Sequence, residues 1–259
     1  MSALVQSYSL LATLVFIAVS ALVAVRLVLL ARRTRGKPEL LLGLGILGTA
    51  VLGYGTLIVA TVLRGDTNLV AKTFSERALY GAGTILHDAG VTMVILFVLT
   101  VFRAGQRPAQ ALAAALLVAL WGGMLGTELE NGFRDPGIGN GFWWVRYAVI
   151  WSYPLWTTVE SYRYYALMRR RMAVGLADPL VANRFWLWGT GALGTALATW
   201  TASIPYFLAS QPELALAWTP AIRVATATVG LATVGLYALT FFPPAAYRRW
   251  LAGATGAAR

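Results

Sequence analysis

Seven stretches of this chain, 8–31, 39–63, 76–103, 109–128, 142–167, 185–208 and 219–242, are mainly apolar over the length a helix needs to cross a bilayer. That length is about 20 residues, each rising about 1.5 Å along the axis. Inside hydrocarbon no water is present to satisfy backbone N–H and C=O groups, so each stretch has to be helical. The expected fold is therefore an all-α membrane protein, a seven-transmembrane helix bundle over 1–244, followed by a short basic tail over 245–259. Composition agrees: charged residues make up 12% of the 259 residues, where a soluble domain carries roughly 25%. The first run has no basic segment ahead of it and is too long for a signal-peptide core, so it reads as a retained helix.

Helix boundaries carry their own signals. Pro38, Pro108 and Pro220 stand where helix starts are expected, since a first-turn proline lacks only an N–H that would go unused. Thr73 and Glu76 have capping-box spacing, and Pro243 with Pro244 should end the last span. Pro154 falls mid-span, where a kink is expected.

Lysine and arginine set the expected orientation. Arg26, Arg32, Arg33, Arg35, Lys37, Arg103, Arg107, Arg163, Arg169, Arg170, Arg171, Arg184, Arg248, Arg249 and Arg259 fall on one side; Arg64, Lys72, Arg77, Arg134, Arg146 and Arg223 fall on the other. The richer side is cytoplasmic by the positive-inside rule, which places the N-terminus outside and the C-terminus in the cytoplasm of a multi-pass protein of the cell inner membrane. The net charge of +11 is thus explained by orientation rather than by nucleic acid. The triple arginine at 169–171 is expected to anchor the chain and attract anionic lipid heads.

Two spans share a pattern. Leu41, Gly43, Gly45, Leu47, Gly48, Thr49 and Ala50 match Leu187, Gly189, Gly191, Leu193, Gly194, Thr195 and Ala196 at an offset of 146 residues. Continued without a gap, this offset places Thr73 on Thr219 and Arg77 on Arg223. The alignment points to a 3+1+3 parallel repeat, in which helices one to three match five to seven and helix four links them. Each segment also fits G-x-G-x-x-G, but a dinucleotide site needs a preceding strand, and small residues within spans instead let helices approach closely.

Ionisable groups within a span are expensive and mark functional candidates. His87 and Asp88 lie in the third stretch, two to three turns from its expected outer end. As sequence neighbours they point about 100° apart, so each is expected to need its own partner. Asp88 is expected to pair with Arg146 or Arg223 beneath an outward-opening cavity, with Glu128 also at similar depth. Tyr147, Trp200 and Tyr206 are candidates to line that cavity, and Tyr54 occupies the position matching Trp200 in the repeat.

Several chemistries are disfavoured. Without cysteine there is no disulfide, thiolate metal site or Cys nucleophile, and one histidine cannot build a His-rich metal site. Retinal would need a buried lysine, but Lys37 and Lys72 both flank spans. No cofactor and no catalytic signature are expected.

The segment after the fifth stretch runs Arg169, Arg170, Arg171, then Gly175, Leu176, Ala177, Asp178, Pro179, and on to Asn183, Arg184 and Phe185. It resembles a loop found in bacterial seven-transmembrane sensory, receptor-like modules, some fused to kinase or cyclase outputs. The resemblance implies a receptor-like module that binds a small or lipid-like ligand from outside and signals through a separate partner. A small-solute transporter of 3+1+3 architecture and a membrane enzyme using His87 or Asp88 as acid or base remain the alternatives.

The charge split generates a topological prediction: a reporter fused after Arg259 is cytoplasmic, and one inserted between Gly132 and Asn140 is outside. Activity of paired alkaline phosphatase and fluorescent-protein fusions checks this, and both reporters on one side would refute it.

Overall fold

The computed structural model describes residues 3–64, 73–134, 138–208 and 210–256; Lys72 and Arg259, used in the charge split, lie outside these. All regular structure among the described residues is helical: α1 Ala3–Thr34, α2 Lys37–Ile46, a π-helical stretch Leu47–Gly53, α3 Tyr54–Arg64, α4 Phe74–Phe102, α5 Arg107–Asn131, α6 Gly141–Ala173, α7 Pro179–Phe207, α8 Pro212–Phe241 and α9 Ala245–Gly256. The segment α2–π–α3 is one continuous rod.

Among the described residues, five helices are long and apolar enough to cross a membrane: Ala3–Thr34, Lys37–Leu63, Phe74–Phe102, Arg107–Asn131 and Glu213–Phe241. The other two expected spans lie within α6 and α7, which have the length, at 33 and 29 residues, but less apolar character. In α6 the dilution comes from Arg146, Glu160, Arg163 and several tyrosines. In α7 most of Trp188–Ser203 is Gly, Thr, Ser or Trp.

Local chemistry explains the helix ends. The Thr73 hydroxyl accepts from the Glu76 amide at 3.2 Å while the Glu76 carboxylate accepts from the Thr73 amide at 3.3 Å, which completes the capping box of α4. α6 closes with Gly175 at φ 73°, its amide donating to Met172 and the Leu176 amide to Arg171, a Schellman arrangement. Asp178 then accepts from the Leu180 amide at 2.8 Å and starts α7. Sequence punctuation misplaced one start. α8 begins at Pro212, not Pro220, and simply runs through Pro220 as an interior residue. A proline there removes a single backbone bond, which a helix in lipid can absorb through neighbouring groups; the Thr219 hydroxyl donates to the Ala215 carbonyl at 2.7 Å beside it.

The chain divides into two compact units, Ile17–Tyr153 and Met1–Phe16 with Pro154–Arg259; the divisions fall inside α1 and, at Pro154, inside α6. In the first unit, glycines set the packing of the α2–π–α3 rod. A Cβ on Gly43 would lie 3.1 Å from Leu27 Cβ and 2.9 Å from Val28 Cγ2 on α1. On Gly45 it would meet Val94 Cγ2 at 2.7 Å, and on Gly48 the Gly90 Cα at 2.7 Å, both on α4. In the second unit the matching glycines of α7 do the same. Gly189 faces Ser161 and Tyr162 of α6, Gly191 faces Tyr237 of α8, and Gly194 faces Thr233 of α8.

The partners keep register. Ser161 and Tyr162 both stand 134 residues after Leu27 and Val28, and Thr233 and Tyr237 both stand 143 after Gly90 and Val94. The offset of 143 would place Arg77 on Pro220, where the ungapped 146 placed it on Arg223.

A Cβ on Gly90 would meet backbone atoms only, the Thr49 nitrogen, the Gly48 carbonyl carbon at 2.7 Å and the Gly45 oxygen, none of which can swing aside, whereas nothing lies within 4 Å of one on Gly122. Gly90→Val should cost about 1–3 kcal/mol or more through overpacking, and Gly122→Ala should stay within about 0.5 kcal/mol. Thermal unfolding in detergent distinguishes these outcomes.

Candidate functional site

Asp88 sits on the face of α4 that also carries buried Thr84 and Val91, and it is wholly inaccessible. A carboxylate in such a place must find cationic or N–H partners, because leaving it bare costs about 2.5–3.5 kcal/mol on insertion scales. Its partner is Arg146, on the second turn of α6. Nε donates to Asp88 Oδ2 at 2.6 Å and Nη2 donates to Oδ1 at 2.8 Å, a bidentate fork.

Small and polar residues bring the pair together. Gly123 on α5 allows the α6 backbone to come close, since a Cβ there would lie 2.8 Å from both the nitrogen and Cβ of Arg146. One turn beyond Asp88, the Thr92 hydroxyl donates to the Asp88 carbonyl at 2.9 Å and accepts from Trp121 Nε1 of α5 at 3.0 Å. An aromatic ladder flanks Arg146 on α6. Trp143, only 1% exposed, stacks on Tyr147 at 3.9 Å, and Tyr147 meets Trp151 edge-on at 5.8 Å. The guanidinium carbon lies 5.7 Å from the Tyr147 ring centre, within cation–π range.

His87 corrects the expectation that it and Asp88 diverge. Its Nδ1 lies 3.1 Å from Asp88 Oδ1. The Cα–Cβ bonds do point apart, but the imidazole is long enough to fold back onto its neighbour's carboxylate. An ionised carboxylate only accepts, so the proton in this bond is carried by Nδ1. With its side chain 21% exposed beside a fully buried Asp88, His87 is the accessible edge of the cluster. The backbone of His87 in turn lies under the π-helical stretch, where a Cβ on Gly53 would be 2.6 Å from His87 Cα.

The remaining sequence candidates fall elsewhere. Glu128 accepts from the Phe133 amide at 2.6 Å and shapes the exit of α5, where Gly132 and Phe133 take φ 55° and 58°. Arg223 is exposed on α8 and is not the partner of Asp88; it belongs to the second unit, as do Trp200, 41% exposed, and the half-buried Tyr206. Tyr54 is 40% exposed. Two hollows lie on other residues, one lined by Gln211, Glu213, Leu214 and Ala217, the other by Ile204, Leu208, Leu214, Trp218 and Ile222. Among the described residues no group of three His, Cys, Asp or Glu side chains is placed to hold a metal ion.

Sequence reasoning missed Trp121, Thr92, Gly123 and the π stretch. The spacing of Thr92, four residues after Asp88, was available as a signal; the other contacts depend on which helices adjoin. No family model matches the chain, and neither does any curated protein or solved structure. What the fold and site define is a class: a helical membrane protein with a buried, bidentate ion pair inside one of its helical units.

Asp88→Ala and Arg146→Ala should each lose about 3–5 kcal/mol, because each strands the other charge. The double variant should lose clearly less than the sum, since the second change removes a charge already stranded. Unfolding in mixed detergent micelles measures all three; simple additivity would show that the two groups do not depend on each other.

Proposed function

We propose that this chain is a receptor-like seven-span membrane module that takes a small or lipid-like ligand from the outer side and signals through a separate protein. The observation that carries the reading is the contrast within one cluster: Asp88 is fully buried and held by Arg146, while His87, on the same carboxylate oxygen, stays partly open. A ligand that engages the imidazole changes what Asp88 Oδ1 receives. That change reaches α6 through Arg146 and the α2–π–α3 rod through the His87 backbone beneath Gly53. π-Helical stretches recur at functional positions because one extra residue per turn can be redistributed along the helix. In this reading α6 and α7 join the five apolar helices as spans, with the N-terminus outside. His87, Asp88, Arg146 and Tyr147 form the site, and Glu128, Trp200, Tyr206 and Arg223 stand apart from it.

A second reading, a small-solute transporter, is favoured by a different observation. The repeated glycine contacts support duplication of a three-helix module, α1 to α4 and α6 to α8, with α5 between them. Parallel repeats of this kind are a transporter architecture.

The two readings separate in reconstituted protein. Lipid extracts and small amphiphiles are screened for a rise in thermal stability, and positives are tested for accumulation in proteoliposomes. The receptor reading expects a compound that stabilises the wild type, loses its effect in His87→Ala, a variant that loses less basal stability than Asp88→Ala, and is not accumulated. Accumulation of that compound inside the vesicles would replace the receptor reading with the transporter.

A further inference from the structure

The last described helix, α9, lies just beyond the end of the membrane-spanning α8, after the break at Pro243 and Pro244. On a helical projection Tyr247 and Trp250 share one side, while Arg248 and Arg249 lie on the other. The helix is held in place on that first side: Asn183, in the second turn of α7, donates from Nδ2 to the Tyr247 hydroxyl at 2.8 Å. Tyr247 then stacks on Trp250 with ring centres 5.8 Å apart. Trp250 is nevertheless 63% exposed, and Arg248, Arg249 and the nearby Arg184 of α7 are all exposed. Neither α9 nor the α7 segment Pro179–Trp188 contains an acidic residue.

We propose that α9 is an interfacial helix whose arginines, with Arg184, bind the headgroups of anionic phospholipids while Trp250 enters the interface. An exposed indole next to a span end favours the boundary between headgroups and chains. Three exposed guanidiniums on α9 and the adjoining turn of α7, with Asp178 at the α7 cap the one acidic residue beside them in sequence, offer bidentate bonding to lipid phosphate. The contact to Asn183 fixes the helix close to the bilayer end of α7, so binding does not have to order a free tail. The inference concerns a lipid surface and is independent of the ligand site, and it holds whichever way the chain crosses the membrane.

The absence of cysteine makes the test direct. The full chain is placed in symmetric discs of phosphatidylcholine alone or mixed with phosphatidylglycerol, with a nitroxide on Ala246→Cys, one turn before Trp250, or on Arg248→Cys opposite. The expected result in mixed discs is a label at 246 shielded from a water-soluble nickel chelate and open to oxygen, and a label at 248 with the reverse pattern. By native mass spectrometry the wild type should retain phosphatidylglycerol over phosphatidylcholine, and Arg248→Gln with Arg249→Gln should cut that preference on the order of tenfold. Unchanged thermal unfolding of the double variant in phosphatidylcholine discs shows that it still folds. Equal retention of both lipids by the wild type, or full nickel access at both labels, would overturn the proposal and leave α9 as a water-facing surface open to a protein partner.

Discussion

A carboxylate shielded from water needs a cation and several N–H donors at hydrogen-bond distance, and Asp88 imposes that requirement on the Ile17–Tyr153 unit. The demand is met by a fork from Arg146 and a bond from His87. Meeting it fixes more than one side chain. The start of α6 has to lie against α4, α5 has to present Gly123 so that the α6 backbone can come near, and Trp121 reaches the carbonyl of Asp88 through Thr92. A pair of this kind stabilises little compared with apolar packing, but it punishes every arrangement that separates its members. Its value lies in specifying which helices adjoin.

The other organising force is the close approach of backbones. Lipid chains are as apolar as leucine side chains, so helices in a bilayer gain little from hiding apolar surface and gain instead from tight contact. Gly45 and Gly48 meet Gly90 and Val94, and the two glycines of the π stretch lie against the α4 backbone from Leu86 to Gly90. The site and this seam share residues: His87 presents its ring to Asp88 and its backbone to Gly53. A chemical change at the imidazole is therefore also a packing change, and the proposed receptor function rests on this coupling.

Much of this was legible in the sequence. Apolar length made each helix obligatory, because the backbone has no other means of satisfying its polar groups in lipid. The capping box at Thr73 and Glu76 formed as its spacing implies, and the turn through Gly175 and the cap at Asp178 likewise depend on contacts within a few residues. The seven-residue identity between two spans carried through to matched glycine contacts. Asp88 and Arg146 were legible as candidates because charge inside a span is too costly to be idle.

Other features were decided only in three dimensions. Arg146 and Arg223 were equal partners for Asp88 by depth and charge; only the seating of α6 against α4 and α5 chose between them. The offset of 143 between the residues facing Gly191 and Gly194 and those facing Gly45 and Gly48 appears only in the contacts, and loop lengths conceal it. The π stretch has no local signature; it is the segment in which Gly48 and Gly53 both lie against α4. The sequence alone determined helix, burial and the need for a partner, because those follow from the solvent. Tertiary structure decided which partner and at what register, because those depend on contacts between residues far apart in the chain, as Asp88 and Arg146 are at 58 positions.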